Sequence, residues 1–212
     1  MKLLGGIPRR SYIACSGGVD SMAALSFVRN NPQNKTEVLF YDHGTPTSKK
    51  AYIFLKQYCK ENNIKFISSK LECDMPTGVS KEAFWREQRY AFLSYFKEKP
   101  IIMAHHLDDV VETYVFSMIN GNDFLIPYSN KNIIRPFLLT KKEDMVNWCE
   151  RKGVPWVEDD TNSVNDYARN RIRNVILPEI KKINPGIQKV VAKKVKQDYN
   201  NNYMVSSEPA TK

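Results

Sequence analysis

Tyr12-Ile13-Ala14-Cys15-Ser16-Gly17-Gly18-Val19-Asp20-Ser21-Met22-Ala23-Ala24-Leu25-Ser26-Phe27-Val28 reads as a buried strand, a turn of glycines and hydroxyls, and then a helix. Such a turn aims free backbone N–H groups and the positive end of a helix dipole at one point, where an anion binds. Gly17 and Gly18 let the backbone approach a ligand, and Ser16 and Ser21 add hydroxyl donors. The stretch predicts phosphate handling, with Ser16, Gly17, Gly18, Val19, Asp20 and Ser21 as its candidate residues. Many strand-to-helix turns are only tight connections, but few combine glycines, hydroxyls and an acid in this context.

Outward from this turn, apolar runs alternate with helix-period segments. Strands are expected at Tyr12–Cys15, Val38–Tyr41, Lys65–Ser68 and Ile101–Ala104, and helices at Ser21–Asn30, Ser48–Asn62 and Lys81–Lys97. That order calls for an α/β fold with a parallel, Rossmann-like sheet covered by helices. Ligands in such folds bind beyond the carboxyl ends of the strands, where the strand order reverses. The clusters Ser16–Ser21, Asp42-His43-Gly44 and His105–Thr113 all fall at strand ends. Farther on, a helix Asp144–Lys152 should end at Gly153, and Val154–Val157 is extended before a polar loop at Glu158–Asp166. Arg169–Leu177 is expected to be a helix stopped by Pro178. Asn184-Pro185-Gly186 should turn into a basic helix, Ile187–Tyr199, before a disordered polar tail. The implied organisation is a main α/β domain carrying the phosphate turn at 1–180, a basic helical extension at 181–199 and a disordered tail at 200–212.

The chain has 212 residues, enough for one sizeable core, and its 42% hydrophobic content is ordinary for a globular protein. No apolar run is long enough for a membrane span. Cys15, Cys59, Cys73 and Cys149 are scattered, which argues against a zinc ribbon or a thiolate cluster and suits a cytoplasmic protein with reduced thiols. A net charge of +9, crowded into Arg169, Arg171, Arg173 and the lysines at 181–196, favours a polyanionic partner.

His105-His106-Leu107-Asp108-Asp109-Val110-Val111-Glu112-Thr113 places Asp109 and Glu112 on one face near a helix N-terminus. Capping explains one acid there. Asp109 and Glu112 could also hold magnesium or position an attacking amine, and Asp20 with Asp109 are candidate metal ligands. Glu82, Arg86 and Arg89 share a helix face, by default a solvated, salt-bridged one. The arginines at 169, 171 and 173 offer forked donors for phosphate.

Together these segments resemble the tRNA(Ile)-lysidine synthetases within the PP-loop (N-type) ATP pyrophosphatases. The motifs run in family order: Ser16-Gly17-Gly18-Val19-Asp20-Ser21; Asp42-His43-Gly44; Glu82-Ala83 with Arg86, Arg89 and Tyr90; His105-His106-x-Asp108-Asp109-x-x-Glu112-Thr113; Arg135-Pro136; Pro155-Trp156 with Asp160-x-Asn162; and Arg169-Asn170-x-x-Arg173 before Leu177-Pro178. The resemblance covers roughly residues 11–185. It implies a PP-loop ATPase fold and an ATP- and magnesium-dependent ligase. Such an enzyme adenylates the wobble cytidine of an isoleucine tRNA with a CAU anticodon and then attaches free lysine, releasing AMP and pyrophosphate. It further implies that Ser16–Ser21, Asp42 and His43 bind ATP and that His105, His106 and Asp108 contact substrate. Asp109, Glu112, Arg86, Arg169 and Arg173 would be catalytic. Relatives are often homodimers, though no stripe here proves one.

The chain departs from the family pattern at Val110, where glutamine is usual, and at Gly121–Pro127, which replaces a glycine-rich stretch. Full family members also carry C-terminal domains that grip the acceptor stem, so RNA binding by this chain is expected to be weaker and more salt-dependent. The competing readings are a PP-loop tRNA thiolase and a non-catalytic nucleotide- or RNA-binding module.

Overall fold

A computed structural model describes residues 1–158 and 168–204. The central sheet has six strands in the order β3-β2-β1-β4-β6-β5: β1 (Arg10–Ala14), β2 (Lys35–Asp42), β3 (Phe66–Lys70), β4 (Ile101–Ile102), β5 (Ser129–Asn130) and β6 (Ile133–Ile134). All neighbours are parallel except β5 and β6. The chain leaves β1 to pair β2 on one side and returns to pair β4 on the other, so the order reverses between β1 and β4. Both motif-bearing turns emerge there.

Alternation along the strands divides the core. Ile13, Val38 and Phe40 face α1 (Val19–Arg29), α2 (Pro46–Glu61) and α5 (Lys142–Lys152). Tyr12, Leu39, Ile101 and Met103 face α3 (Lys81–Ser94). Ala23 and Ala24 are fully buried on α1, where small side chains bring the helix close to the sheet. A third cluster joins α4 (Leu107–Ile119) to α7 (Leu177–Ile183) and α8 (Ile187–Tyr199) through Val110, Val111, Val115, Val191 and Val195. The 181–199 segment is thus packed into the same body. Val110 is wholly buried in that cluster, so its place in the chain is a core position.

Most elements lie where the periodicity places them, and α5 ends at Gly153 in the left-handed conformation (φ 61°). α2 begins two residues before its expected start because Thr45 caps it, accepting from the Ser48 N–H at 3.0 Å, with Pro46 in the first turn. The two-residue strands β5 and β6 were not anticipated; Ile133-Ile134 is too short to register as periodic.

Two expectations are corrected. Pro178 does not stop the helix. After α6 (Ala168–Arg171) the backbone widens into a π-helical turn, Ile172–Ile176, in which the Leu177 N–H reaches the Ile172 carbonyl. Pro178 then sits in the first turn of α7, where its missing N–H costs nothing. Nor does order end at Asn200: Asn200–Met204 forms a second π-helical turn. Tyr203 stacks on Tyr199 and meets Tyr128 edge-on, and its hydroxyl lies 3.2 Å from Ser129 Oγ. The rest of the polar loop and tail, with Asp160 and Asn162, lies outside the described residues.

Candidate active site

The turn after β1 is built by its own hydroxyls. Ser21 Oγ donates to the Gly18 carbonyl at 2.9 Å and accepts from the Ser16 N–H at 3.2 Å. Gly17 has φ +85°, and a Cβ there would meet the Ala51 Cβ at 3.3 Å, so only glycine fits between the turn and α2. Val157 N–H donates to the Gly17 carbonyl at 2.9 Å, so the extended Val154–Val157 stretch props the turn from outside. Gly18 opens α1, and no side chain caps it. The first-turn N–H groups therefore remain available to an anion.

His106 organises the facing helix. Its Nδ1 accepts from the Asp109 N–H at 3.3 Å while Asp109 Oδ2 accepts from the His106 N–H at 2.9 Å, a reciprocal cap on α4. The other ring nitrogen lies 3.5 Å from Asp20 Oδ1 across the switch point. Burial alone would discharge this imidazole, but Asp20, Asp109 and Asp108 outweigh it and raise its pKa above the usual histidine value. Burial likewise opposes ionisation of Asp20, yet His106, Lys142 and Arg173 hold that carboxyl below its ordinary range. Asp109 goes the other way: burial is the largest influence and raises it, against the pull of His106.

The remaining candidates separate. Glu112 is 9% exposed and forms a two-pronged pair with Arg173, at 2.6 Å from Nε and 2.8 Å from Nη2. Asp108 is occupied structurally, accepting from the Lys142 N–H at 2.9 Å and from Gln188 Nε2 at 2.7 Å, so it ties α4 to α5 and α8. Asp42 Oδ1 accepts from Gly44 N–H and Ser48 Oγ, fixing the turn after β2. His43 stacks on Trp85 at 5.2 Å, and burial, reinforced by Arg89, lowers its pKa to about 4. His105 is lowered to about 3, first by burial and then by Arg135, Arg89 and Arg86. Glu82 does not bridge its own helix face: it lies 3.4 Å from Arg169 on α6, an exposed pair. Arg86 lies over the Tyr90 ring at 5.0 Å.

For magnesium, the oxygen donors are only partly arranged. Among the described residues no three metal-ligating side chains converge. His106 stands between Asp20 and Asp109, so the two do not close on one ion. Asp20 alone fits, since its buried Oδ1 has only the long 3.5 Å approach of His106 Nε2, and magnesium commonly takes one carboxylate together with phosphate oxygens.

Sequence reasoning missed Arg135, which donates to the Pro127 carbonyl at 2.9 Å and to Tyr90 Oη at 3.3 Å. Its motif was visible, but its role emerges only from the fold.

The model of the PP-loop domain family matches residues 6–180. The chain is 32% identical over 189 residues to the tRNA(Ile)-lysidine synthase of Enterococcus faecalis, covering 82% of this chain and 41% of that protein. To the synthase of a Thermotoga species it is 35% identical over 196 residues, covering 84% and 47%. It thus spans less than half the length of these relatives. A U34-tRNA thiolase from Methanococcus maripaludis, solved with its [4Fe-4S] cluster, superposes with a TM-score of 0.67 at 12% identity, covering 96% of this chain and 74% of that one. At that identity the likeness is one of fold.

Proposed function

This chain belongs to the PP-loop domain family, and from that premise we propose that it is an ATP-dependent tRNA-modifying ligase that attaches lysine to a wobble cytidine. One observation carries the reading: the uncapped Ser16–Ser21 turn and the Asp20–His106–Asp109 array meet at the switch point between β1 and β4. The turn would hold the phosphates of ATP through first-turn N–H groups and hydroxyls, and Asp20 would hold magnesium, which screens the phosphate charge. The carbonyl oxygen of the cytosine attacks the α-phosphorus and pyrophosphate leaves. The lysine ε-amine, after losing a proton, attacks the ring carbon that bears this oxygen, and the C–O bond breaks as AMP departs with the oxygen.

Asp109 suits the proton transfer. Its raised pKa makes it a stronger base than an exposed carboxylate, and the His106 ring, whose own affinity for a proton the surrounding carboxylates raise, lies beside it. Glu112 acts through Arg173, holding the guanidinium in place toward the reacting centre. A thiolase chemistry finds no support in the cysteines: Cys15, Cys59 and Cys149 are buried, and only Cys73 is exposed.

The test is incorporation of radiolabelled lysine into an isoleucine tRNA with a CAU anticodon, with ATP and magnesium. Label that depends on ATP and disappears in Asp109→Asn supports the reading. ATP turnover to AMP with no label on any tRNA would overturn the lysine assignment.

A further inference from the structure

On the α3 face of the sheet, opposite α1, the carboxyl ends of β4 and β6 carry a cluster of positive charge that no carboxylate among the described residues pairs. Arg135, directly after β6, is 3% exposed, yet its Nε has no partner. Its remaining nitrogens bind the Pro127 carbonyl and Tyr90 Oη, both neutral. Arg89 precedes Tyr90 on α3, and its Nε is likewise buried without a partner. Arg86, which is exposed, lies one turn back, over the Tyr90 ring. His105 closes the cluster from β4, and its Nδ1 is buried and unpartnered as well. Among the described residues no carboxylate lies within ion-pair distance of any of the three guanidiniums, and the arginines that do pair there are Arg169 and Arg173.

Buried charges are ordinarily paired, because desolvation costs several kcal/mol per ion. Guanidiniums have donors only, so their missing partner must be an acceptor, and their fork matches the oxygens of a phosphate. The suppressed titration of His105 agrees, since that ring stays neutral beside uncompensated cations. The anion site at the start of α1 cannot supply the partner, because α1 packs on the other face.

We infer that Arg89 and Arg86, backed by the buried Arg135 and by His105, form a second phosphate site, which takes a backbone phosphodiester of the substrate RNA. Its occupant as RNA rests on the proposed function; its existence as a phosphate site does not. The site fixes the strand on the α3 side while the nucleotide is held on the α1 side, so the target base enters between them. Arg135 also anchors the segment before β5 through Pro127, which couples RNA binding to the position of that loop.

The test uses the full chain and a fluorescein-labelled stem–loop RNA with a CAU loop, titrated at several salt concentrations. Arg89→Gln should weaken binding at least tenfold and lower the salt slope by about one, with Arg89→Lys intermediate. Lys60→Gln, an exposed cation on α2, should change affinity less than twofold. Without ligand, Arg89→Gln should melt at the same temperature as the wild type or higher, since an unpaired buried cation is removed. Unchanged RNA affinity in Arg89→Gln, or a loss that tracks a falling Tm, overturns the site. If the wild type does not bind this RNA, the functional reading fails and the phosphate arm decides. Inorganic phosphate should then raise the Tm of the wild type above that in chloride of equal ionic strength, and should not do so for Arg89→Gln. Equal responses of the two proteins overturn the site in that case.

Discussion

Removing Arg173 should cost far more stability than neutralising its partner, although both changes break the same pair. Glu112 is 9% exposed and Arg173 35%, and the carboxylate receives both prongs of the guanidinium. In Arg173→Met the acid remains buried with no counter-ion, which costs about 3–5 kcal/mol. In Glu112→Gln the amide oxygen still accepts one hydrogen bond and the arginine turns to solvent, so the loss is about 1–2 kcal/mol. For a chain of this size each kcal/mol lowers Tm by about 2–4 °C, so the two variants should separate by several degrees. Adding Glu112→Met to Arg173→Met should restore most of the loss, because the stranded charge is gone. Calorimetric melts of the three variants at neutral pH are sufficient. Equal destabilisation by the two single changes, or no recovery in the double variant, would refute the account of Glu112 as a buried anion dependent on Arg173.

Gly17→Ala should abolish pyrophosphate exchange, because φ +85° costs about 1–3 kcal/mol for alanine and its methyl meets Ala51; wild-type exchange rates would contradict this. His105 and His43 have folded pKa values of about 3 and 4, below their unfolded value of 6.5. Their contribution is therefore fully present above pH 6.5 and is lost as pH falls toward 4 and then 3, by at most about 1.4 kcal/mol per pH unit for each. Acid unfolding followed by circular dichroism should shift to lower pH in His105→Gln. Raised His106 and lowered Asp20 set the opposite limits for their own interaction: it should weaken as pH rises through the folded His106 value and as it falls through that of Asp20. The NMR titration of His106 should lie above 6.5 and drop in Asp20→Asn. Tyr203→Phe keeps the ring stack and should cost under about 1 kcal/mol, whereas Tyr203→Ala should also lose the packing on Tyr199 and Tyr128; equal melts for both would count against an ordered end to α8.

The central strands, α1 and the phosphate turn were legible because each depends on local signals: an apolar run, helix periodicity and paired glycines with hydroxyls. The sheet edge was not. β5 and β6 are two residues each and exist because β4 offers a parallel partner to Ile133-Ile134, a long-range fact with no local trace. Pro178 misled for a related reason, since a proline breaks an α-helical register but not one already widened at Ile172–Ile176. Among the acids, spacing put Asp109 and Glu112 on one face correctly, yet it could not show that Arg173, sixty-one residues away, takes Glu112 while His106 takes Asp109.

The adjacent pair His105-His106 shows most directly how the fold assigns chemistry. The two residues follow β4 on extended backbone, so their side chains point to opposite sides. His106 goes to the side of Asp20, Asp108 and Asp109, where carboxylates draw a proton onto it. His105 goes to the side of Arg86, Arg89 and Arg135, where guanidiniums and burial keep the proton off. One residue type, repeated, is thus shifted in opposite directions by its two surroundings. The same division leaves the sheet edge acidic on one side and basic on the other. The proposed joining of a cationic amine to a polyanionic strand would use this polarity, because each substrate would be drawn to its own side. Exchanging the signs at a single position tests the idea without touching the phosphate turn. Arg89→Glu should depress RNA binding well beyond Arg89→Gln and, by pairing with the remaining guanidiniums, should allow His105 to titrate at a higher pH. An unmoved His105 titration in that variant would mean that burial alone keeps it neutral, and that the basic side has no electrostatic hold on the site.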